Sequence, residues 1–100
     1  MYIKKLKKLF PKVQLGYSGH ELEYYVCLSA LSYGAIVFEK HLTLNRNSKG
    51  PDHLASIEPL EFKLMTQYIR NVEVSLGSYF KKPTVSETKN KIVVRKSLVA

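Results

Sequence analysis

The pattern of apolar and polar positions along the chain predicts alternating helices and strands. Near the N-terminus, apolar residues recur at helical spacing between lysines, which predicts an amphipathic helix that ends at Pro11. A short mixed run at 12–18 predicts a strand, and residues 21–33 predict a helix that stops at Gly34. The near-continuous apolar run 35–41 predicts a second strand, buried on both faces.

The second half of the chain predicts a loop, a helix and a tail. Residues 42–57 form a long polar connection, and loops of this length in compact domains are often functional. Ser56 is a candidate N-cap for a long helix over 60–76, which a glycine ends. Residues 78–91 predict a linker, and the run IVVRKSLVA at 92–100 predicts the start of a new strand.

The order helix, strand, helix, strand, helix is typical of a parallel α/β fold. Two strands are too few for such a fold, because parallel strands need neighbours and helices that cover them. The pattern therefore predicts that the chain is a slice of a larger α/β architecture.

Composition and charge narrow the function classes. The apolar fraction of 45% excludes a disordered chain, and a charged fraction of 24% is ordinary for a globular protein. The net charge of +8 arises at the ends, because 11 of the 16 basic residues lie in 4–12 and 81–96. Residues 13–80 hold five basic and seven acidic residues. We therefore expect no nucleic-acid partner.

The single cysteine and the lack of long apolar runs indicate the cellular compartment of the protein. Cys27 cannot form an intrachain disulfide, which fits a reducing environment, and its position predicts a buried helix residue rather than a reactive thiol. No apolar run approaches the roughly 18 residues of a membrane span. The N-terminus lacks the apolar stretch of a signal peptide. We expect a cytoplasmic protein with no membrane partner.

Two histidines follow the two predicted strands. His20 comes after the first strand, and His41 ends the second strand 21 residues later. A right-handed crossover makes the strands parallel, so both histidines lie at the same edge, and adjacent strands are about 4.8 Å apart. The pair is a candidate metal site with positions open to water and substrate, as in catalytic sites. Two polar residues at strand ends are the alternative.

Two further side chains lie near this pair in sequence. His53, after Asp52, is a candidate third ligand, although a solvent-facing loop histidine fits the position at least as well. Glu39 alternates with His41, so both side chains are expected on one side of the strand. There Glu39 either orients a ligand or forms a buried ion pair with a lysine, and the ion pair is the favoured interpretation.

Three motifs in a fixed order carry a resemblance to a known family. They are GYSGHE at 16–21, EKHLTL at 39–44 and GPDH at 50–53. In this order and spacing they resemble the sialic acid synthases, also called N-acetylneuraminate synthases, which include the spore-coat polysaccharide synthases. The similarity covers nearly the whole chain and is most specific between Gly16 and Pro59.

The resemblance implies an enzyme that condenses phosphoenolpyruvate with N-acetylmannosamine or a related N-acetylated amino sugar, giving a nonulosonic acid and phosphate. It implies a divalent metal, Mn²⁺ or Mg²⁺, which polarises the sugar aldehyde and is bound by the catalytic residues His20 and His41. It also implies that Asp52 contacts the acceptor sugar and that Ser18 lies beside phosphoenolpyruvate. Gly19 stands where many members have aspartate.

The same resemblance implies a (β/α)8 TIM barrel followed by an antifreeze-like domain, in a homodimer. Residues 1–77 correspond to a C-terminal slice of the barrel, about strand 7, helix 7, strand 8 and helix 8. Residues 78–100 correspond to a linker and the first residues of the antifreeze-like domain. On this mapping, strands 1 to 6, with the lysines that bind phosphoenolpyruvate, are expected to lie outside this chain. We therefore expect a partial enzyme that is inactive alone, or alternatively a non-catalytic interaction module derived from the same fold, and the acceptor sugar stays open.

Overall fold

A two-stranded parallel sheet with helices on one face organises the chain, and the computed structural model describes residues 2–94. The strands β1 and β2 lie side by side and parallel. The predicted alternation of helices and strands is confirmed. The elements are α1 (Tyr2–Leu9), β1 (Leu15–Ser18), α2 (Tyr25–Ser32), β2 (Ala35–Glu39), a short 3-10 helix (His53–Ala55), α3 (Pro59–Leu76) and α4 (Val85–Val94).

The predicted helix over 21–33 is wrong at its start, because α2 begins at Tyr25. The main-chain carbonyl of Glu21, which a helix would use to accept the amide of Tyr25, accepts a hydrogen bond from the Lys40 side chain instead. The end is as predicted, since Gly34 follows the helix with a φ of 97°.

The start of α3 also differs from the prediction. Glu58, not Ser56, is the N-cap, and Pro59 occupies the first turn. The Ser56 hydroxyl is used elsewhere, since it donates a hydrogen bond to the carbonyl of Asp52 at 2.7 Å. Gly77 ends the helix as predicted, with a φ of 61°.

The C-terminal segment is helical where a linker and a strand were predicted. The amide of Thr84 donates to the Glu87 carboxylate at 2.6 Å, and the amide of Glu87 donates to the Thr84 hydroxyl at 3.2 Å. This reciprocal pair is a capping box, and its T-x-x-E signature is present in the sequence. The predicted strand is therefore wrong over 92–94, and 95–100 lie outside the described residues. The domain boundary after residue 77 stays a prediction.

The core lies between one face of the sheet and the helices α2 and α3. Burial raises the pKa of the Cys27 thiol, and the predicted burial of this residue is confirmed by an exposed fraction of 0%. The centre of the core is formed by Cys27, Ile57 and Met65, with Tyr17, Tyr24, Phe38 and Ile69 packed around it.

The other face of the sheet is open. Val37 of β2, which alternates with the core-facing Phe38, lies on this face and is 57% exposed, so the prediction of a strand buried on both faces is wrong for the described residues. The radius of gyration is 20.5 Å, compared with about 13 Å for a compact domain of this length. An open sheet face is what a slice of a larger α/β fold exposes. Among residues 2–94, no helix is both long and apolar enough to cross a membrane.

Candidate active site

Strands β1 and β2 bring two histidines to one end of the sheet. The register pairs Ser18 with Glu39, the last residues of the two strands, and each histidine follows two residues later. The imidazole centroids of His20 and His41 are 4.8 Å apart, with the ring planes at 70°. The predicted convergence of the two rings is therefore confirmed as geometry.

The next question is whether a third metal ligand lies beside the two imidazoles. Among residues 2–94, no group of three or more histidine, cysteine, aspartate or glutamate side chains is placed to hold a metal ion. His53, the candidate third ligand, instead has Nδ1 at 2.8 Å from the hydroxyl oxygen of Thr43. Two imidazoles alone suit a divalent ion that keeps positions for water and substrate. The metal role of His20 and His41 stays a prediction.

Ser18 and Glu39 lie together on the open face of the sheet. Both side chains are exposed and the two residues are direct partners in the register. The favoured interpretation of Glu39 as a member of a buried ion pair is wrong, because it is the next residue, Lys40, that points into the interior. Alternation along the strand places Glu39 on the same face as Ser18 instead.

An ion pair between a buried lysine and a partly exposed glutamate connects the two turns that carry the histidines, and the sequence did not predict it. Lys40 has a fully buried side chain, and its Nζ lies 2.6 Å from Oε1 of Glu21. The Tyr17 hydroxyl donates to Oε2 of the same carboxylate at 3.0 Å. Burial acts to raise the pKa of Glu21, but the hydrogen bonds from Lys40 and Tyr17 lower it below its usual value. Nothing in the sequence pairs a glutamate with a lysine 19 positions away.

The long loop returns to the histidine end of the sheet. The amide of Ile57 donates to the carbonyl of His41 at 2.9 Å, and a parallel bridge joins Leu42 to Ile57. Within the loop, Asp52 is exposed and has a φ of 67°. Non-glycine residues held in this region concentrate at functional sites, and aspartate tolerates it better than most. Asp52 therefore lies on a fixed loop whose two ends meet beside His41.

Arg46 fastens this loop to the start of α3. Its Nε donates to the carbonyl of Ser56 at 3.2 Å, and its guanidinium also pairs with the Glu61 carboxylate. Glu61 accepts a hydrogen bond from the amide of Glu58 at 2.8 Å. That amide and Arg46 lower the pKa of Glu61, although burial opposes them. The sequence offers the E-x-x-E spacing at a helix start as a signal for the cap, but none for Arg46.

Comparison with known proteins identifies a matching family and similar sequences. Residues 1–81 match the NeuB family. The N,N'-diacetyllegionaminic acid synthase of Campylobacter jejuni is 46% identical over 98 residues, and the human N-acetylneuraminate-9-phosphate synthase is 41% identical over 98 residues. Each alignment covers 98% of this chain but only 29% and 27% of the two relatives.

A solved structure shows the same architecture. The N-acetylneuraminic acid synthetase of Leptospira borgpetersenii superposes with a TM-score of 0.75 at 27% identity, over 95% of this chain and 35% of that chain. The predicted fold class, a piece of a (β/α)8 barrel, is thereby confirmed.

Proposed function

The chain belongs to the NeuB family, and from this premise we propose that it forms the metal-binding and acceptor-binding part of a sialic acid synthase-type enzyme. The proposed reaction joins the methylene carbon of phosphoenolpyruvate to the aldehyde carbon of an N-acetylated amino sugar. Water is taken up and phosphate is released, which leaves a nonulosonic acid. The observation that carries the proposal is the distance of 4.8 Å between the imidazole centroids of His20 and His41, each of which belongs to a motif that resembles the family.

The site residues have distinct proposed roles. The imidazoles of His20 and His41 would hold Mn²⁺ or Mg²⁺, which when bound polarises the carbonyl of the acceptor aldehyde. The Asp52 carboxylate accepts hydrogen bonds from sugar hydroxyls, on a residue whose backbone has a left-handed conformation with a φ of 67°. Ser18 offers a hydroxyl donor to phosphoenolpyruvate on the open face of the sheet.

Phosphoenolpyruvate itself needs further groups. Its phosphate and carboxylate require fixed positive charges in the transition state. Lys40 is next to His41, but its side chain is buried and already neutralised by Glu21. We therefore propose that the cations for phosphoenolpyruvate come from the rest of a barrel, in keeping with a chain that spans about 29% of the Campylobacter jejuni relative. Alone, the chain is expected to bind metal without turning over substrate.

The acceptor is proposed only as a class, the N-acetylated amino sugars. The two relatives above are named for different products, yet their identities to this chain, 46% and 41%, are close. Overall similarity therefore does not distinguish a legionaminic acid precursor from N-acetylmannosamine or its 6-phosphate.

A chimera tests the proposal. Residues 2–94 replace the aligned segment of the Campylobacter jejuni synthase, and phosphate release from phosphoenolpyruvate is followed with and without acceptor sugar and Mn²⁺. We expect release that depends on both additions and is abolished by His20→Ala or His41→Ala, whereas Lys63→Ala, at an exposed position of α3, leaves it unchanged. A chimera with a native circular dichroism spectrum and no activity would contradict the proposal.

A further inference from the structure

We propose that the ion pair between Glu21 and Lys40 is a positioning device that sets the spacing of His20 and His41. This inference rests on the proposed metal role of the two histidines. Glu21 directly follows His20, and Lys40 directly precedes His41. Among residues 2–94, it is the one ion pair that connects the turn after β1 to the end of β2.

The contacts of Lys40 restrain both side chain and main chain. Its ammonium group lies 2.6 Å from Oε1 of Glu21 and also donates to the main-chain carbonyl of Glu21. The Lys40 side chain is fully buried, and that of Glu21 is 27% exposed. Because the ammonium group holds the peptide of Glu21 as well as its carboxylate, it fixes the backbone that carries His20. The partner histidine is fixed through the backbone of Lys40 itself.

A hydrogen bond to the second oxygen of the Glu21 carboxylate also orients this group. The Tyr17 hydroxyl donates to Oε2 of Glu21 at 3.0 Å, so both oxygens have a partner. A Cβ atom at Gly19 would lie 2.5 Å from the Tyr17 hydroxyl and closer still to the Glu21 carboxylate. A methyl group at position 19 would therefore push the ends of the Tyr17 and Glu21 side chains out of their present contact.

Groups that orient metal ligands have a measurable effect on metal affinity. Loss of such a partner typically weakens metal affinity by about 10- to 100-fold, even though the ligands themselves are intact. A buried ion pair is not needed for stability as such, since its desolvation cost offsets much of its attraction. Positioning is the function that the adjacency to both histidines supports.

The test uses the full chain, with Mn²⁺ alone as the probe. Lys40→Met and the double variant Glu21→Gln/Lys40→Met are compared with the wild type by titration calorimetry. The double variant leaves no buried charge without its partner, which separates positioning from unfolding caused by a lone carboxylate. Arg70→Met is the control, because it removes an ion pair and one positive charge on the exposed surface of α3, outside the candidate site. We expect about 10- to 100-fold weaker binding in both Lys40 variants and wild-type binding in the control.

A second readout needs no metal. In the metal-free chain, nuclear Overhauser effects between the imidazole protons of His20 and His41 report ring proximity, and we expect them in the wild type and in Arg70→Met but not in the two Lys40 variants. Persistence of these signals in the Lys40 variants, with unchanged Mn²⁺ affinity, overturns the positioning role. An Mn²⁺ affinity that is unchanged in His20→Ala and His41→Ala overturns the metal role instead. The Overhauser signals in the Lys40 variants then still test whether the ion pair positions the two rings.

Discussion

The hydroxyl oxygen of Thr43 lies 2.8 Å from Nδ1 of His53, which closes the long loop across ten positions of the sequence. The same oxygen accepts a hydrogen bond from the amide of Asn45 at 3.3 Å, and Thr43 is only 7% exposed. One buried hydroxyl thus connects the start of the loop to the residue that follows Asp52.

Replacing Thr43 with valine is expected to loosen this loop. The change leaves His53 and the Asn45 amide without their partner, which should lower the free energy of unfolding by about 1–3 kcal/mol in urea titrations. In the chimera we expect a higher KM for the acceptor sugar and unchanged Mn²⁺ affinity. Thr43→Ser keeps the hydroxyl and is expected to behave as the wild type. Wild-type stability and KM in Thr43→Val would contradict the role of this bond.

Substitutions of Asp52 should separate backbone strain from sugar binding. The φ of 67° lies in the left-handed region, where alanine costs about 1–2 kcal/mol and asparagine is tolerated. Asp52→Ala is therefore expected to lower the free energy of unfolding, and Asp52→Asn is not. Both variants lack the carboxylate, so in the chimera both should raise the KM for the acceptor. Tight acceptor binding by Asp52→Asn would show that the charge of the carboxylate is not used.

The Glu61 carboxylate is expected to make stability depend on acid pH. Its pKa in the folded chain is lowered from the usual 4.5 by the Glu58 amide and by Arg46, against burial. The ionised group therefore stabilises the fold fully above the unfolded pKa, and this contribution is lost as the pH falls through the folded pKa. The stability difference between wild type and Glu61→Gln should shrink in urea titrations at successively lower pH. A difference that stays constant through the acid range would exclude this assignment.

A double-mutant cycle tests the contact between position 19 and the Tyr17 hydroxyl. Gly19→Ala places a methyl group against the Tyr17 hydroxyl and the Glu21 carboxylate, so it should break their hydrogen bond and lower the free energy of unfolding by about 1 kcal/mol or more. Tyr17→Phe removes the crowded hydroxyl. We expect Gly19→Ala to cost less in the Tyr17→Phe background, whereas strictly additive costs would show that the two residues are independent.

The sequence was sufficient for those parts of the fold that local chemistry determines. Helix α1, the ends of α2 and α3 at glycine, and the parallel strand pair follow from spacing and from the conformational freedom of Gly34 and Gly77. Element starts were harder to predict, because long-range contacts decide them. The Lys40 side chain donates a hydrogen bond to the Glu21 carbonyl, which the predicted helix would have used in its first turn. The Ser56 hydroxyl donates to the carbonyl of Asp52 in the loop and is therefore not used to cap α3. The start of α4 was predictable from Thr84 and Glu87.

The candidate site divides in the same way. The approach of His20 to His41 follows from two strand ends and a crossover, so the pattern alone predicted it. Lys40, which joins the two histidine turns, and Arg46, which fastens the long loop to α3, are charged side chains whose burial depends on the folded chain. Periodicity places a charge on a face, but it does not identify a partner 15 or 19 positions away.

The open sheet described above has a practical consequence for handling the protein. Within residues 2–94, β1 and β2 have only each other as hydrogen-bonding partners, so each strand presents one edge of free amide and carbonyl groups. Such edges act as templates for pairing between molecules, particularly beside exposed apolar residues such as Ile36 and Val37. Sedimentation or scattering across a dilution series should therefore accompany each binding titration, so that an affinity is assigned to a single molecule rather than to a stack of them.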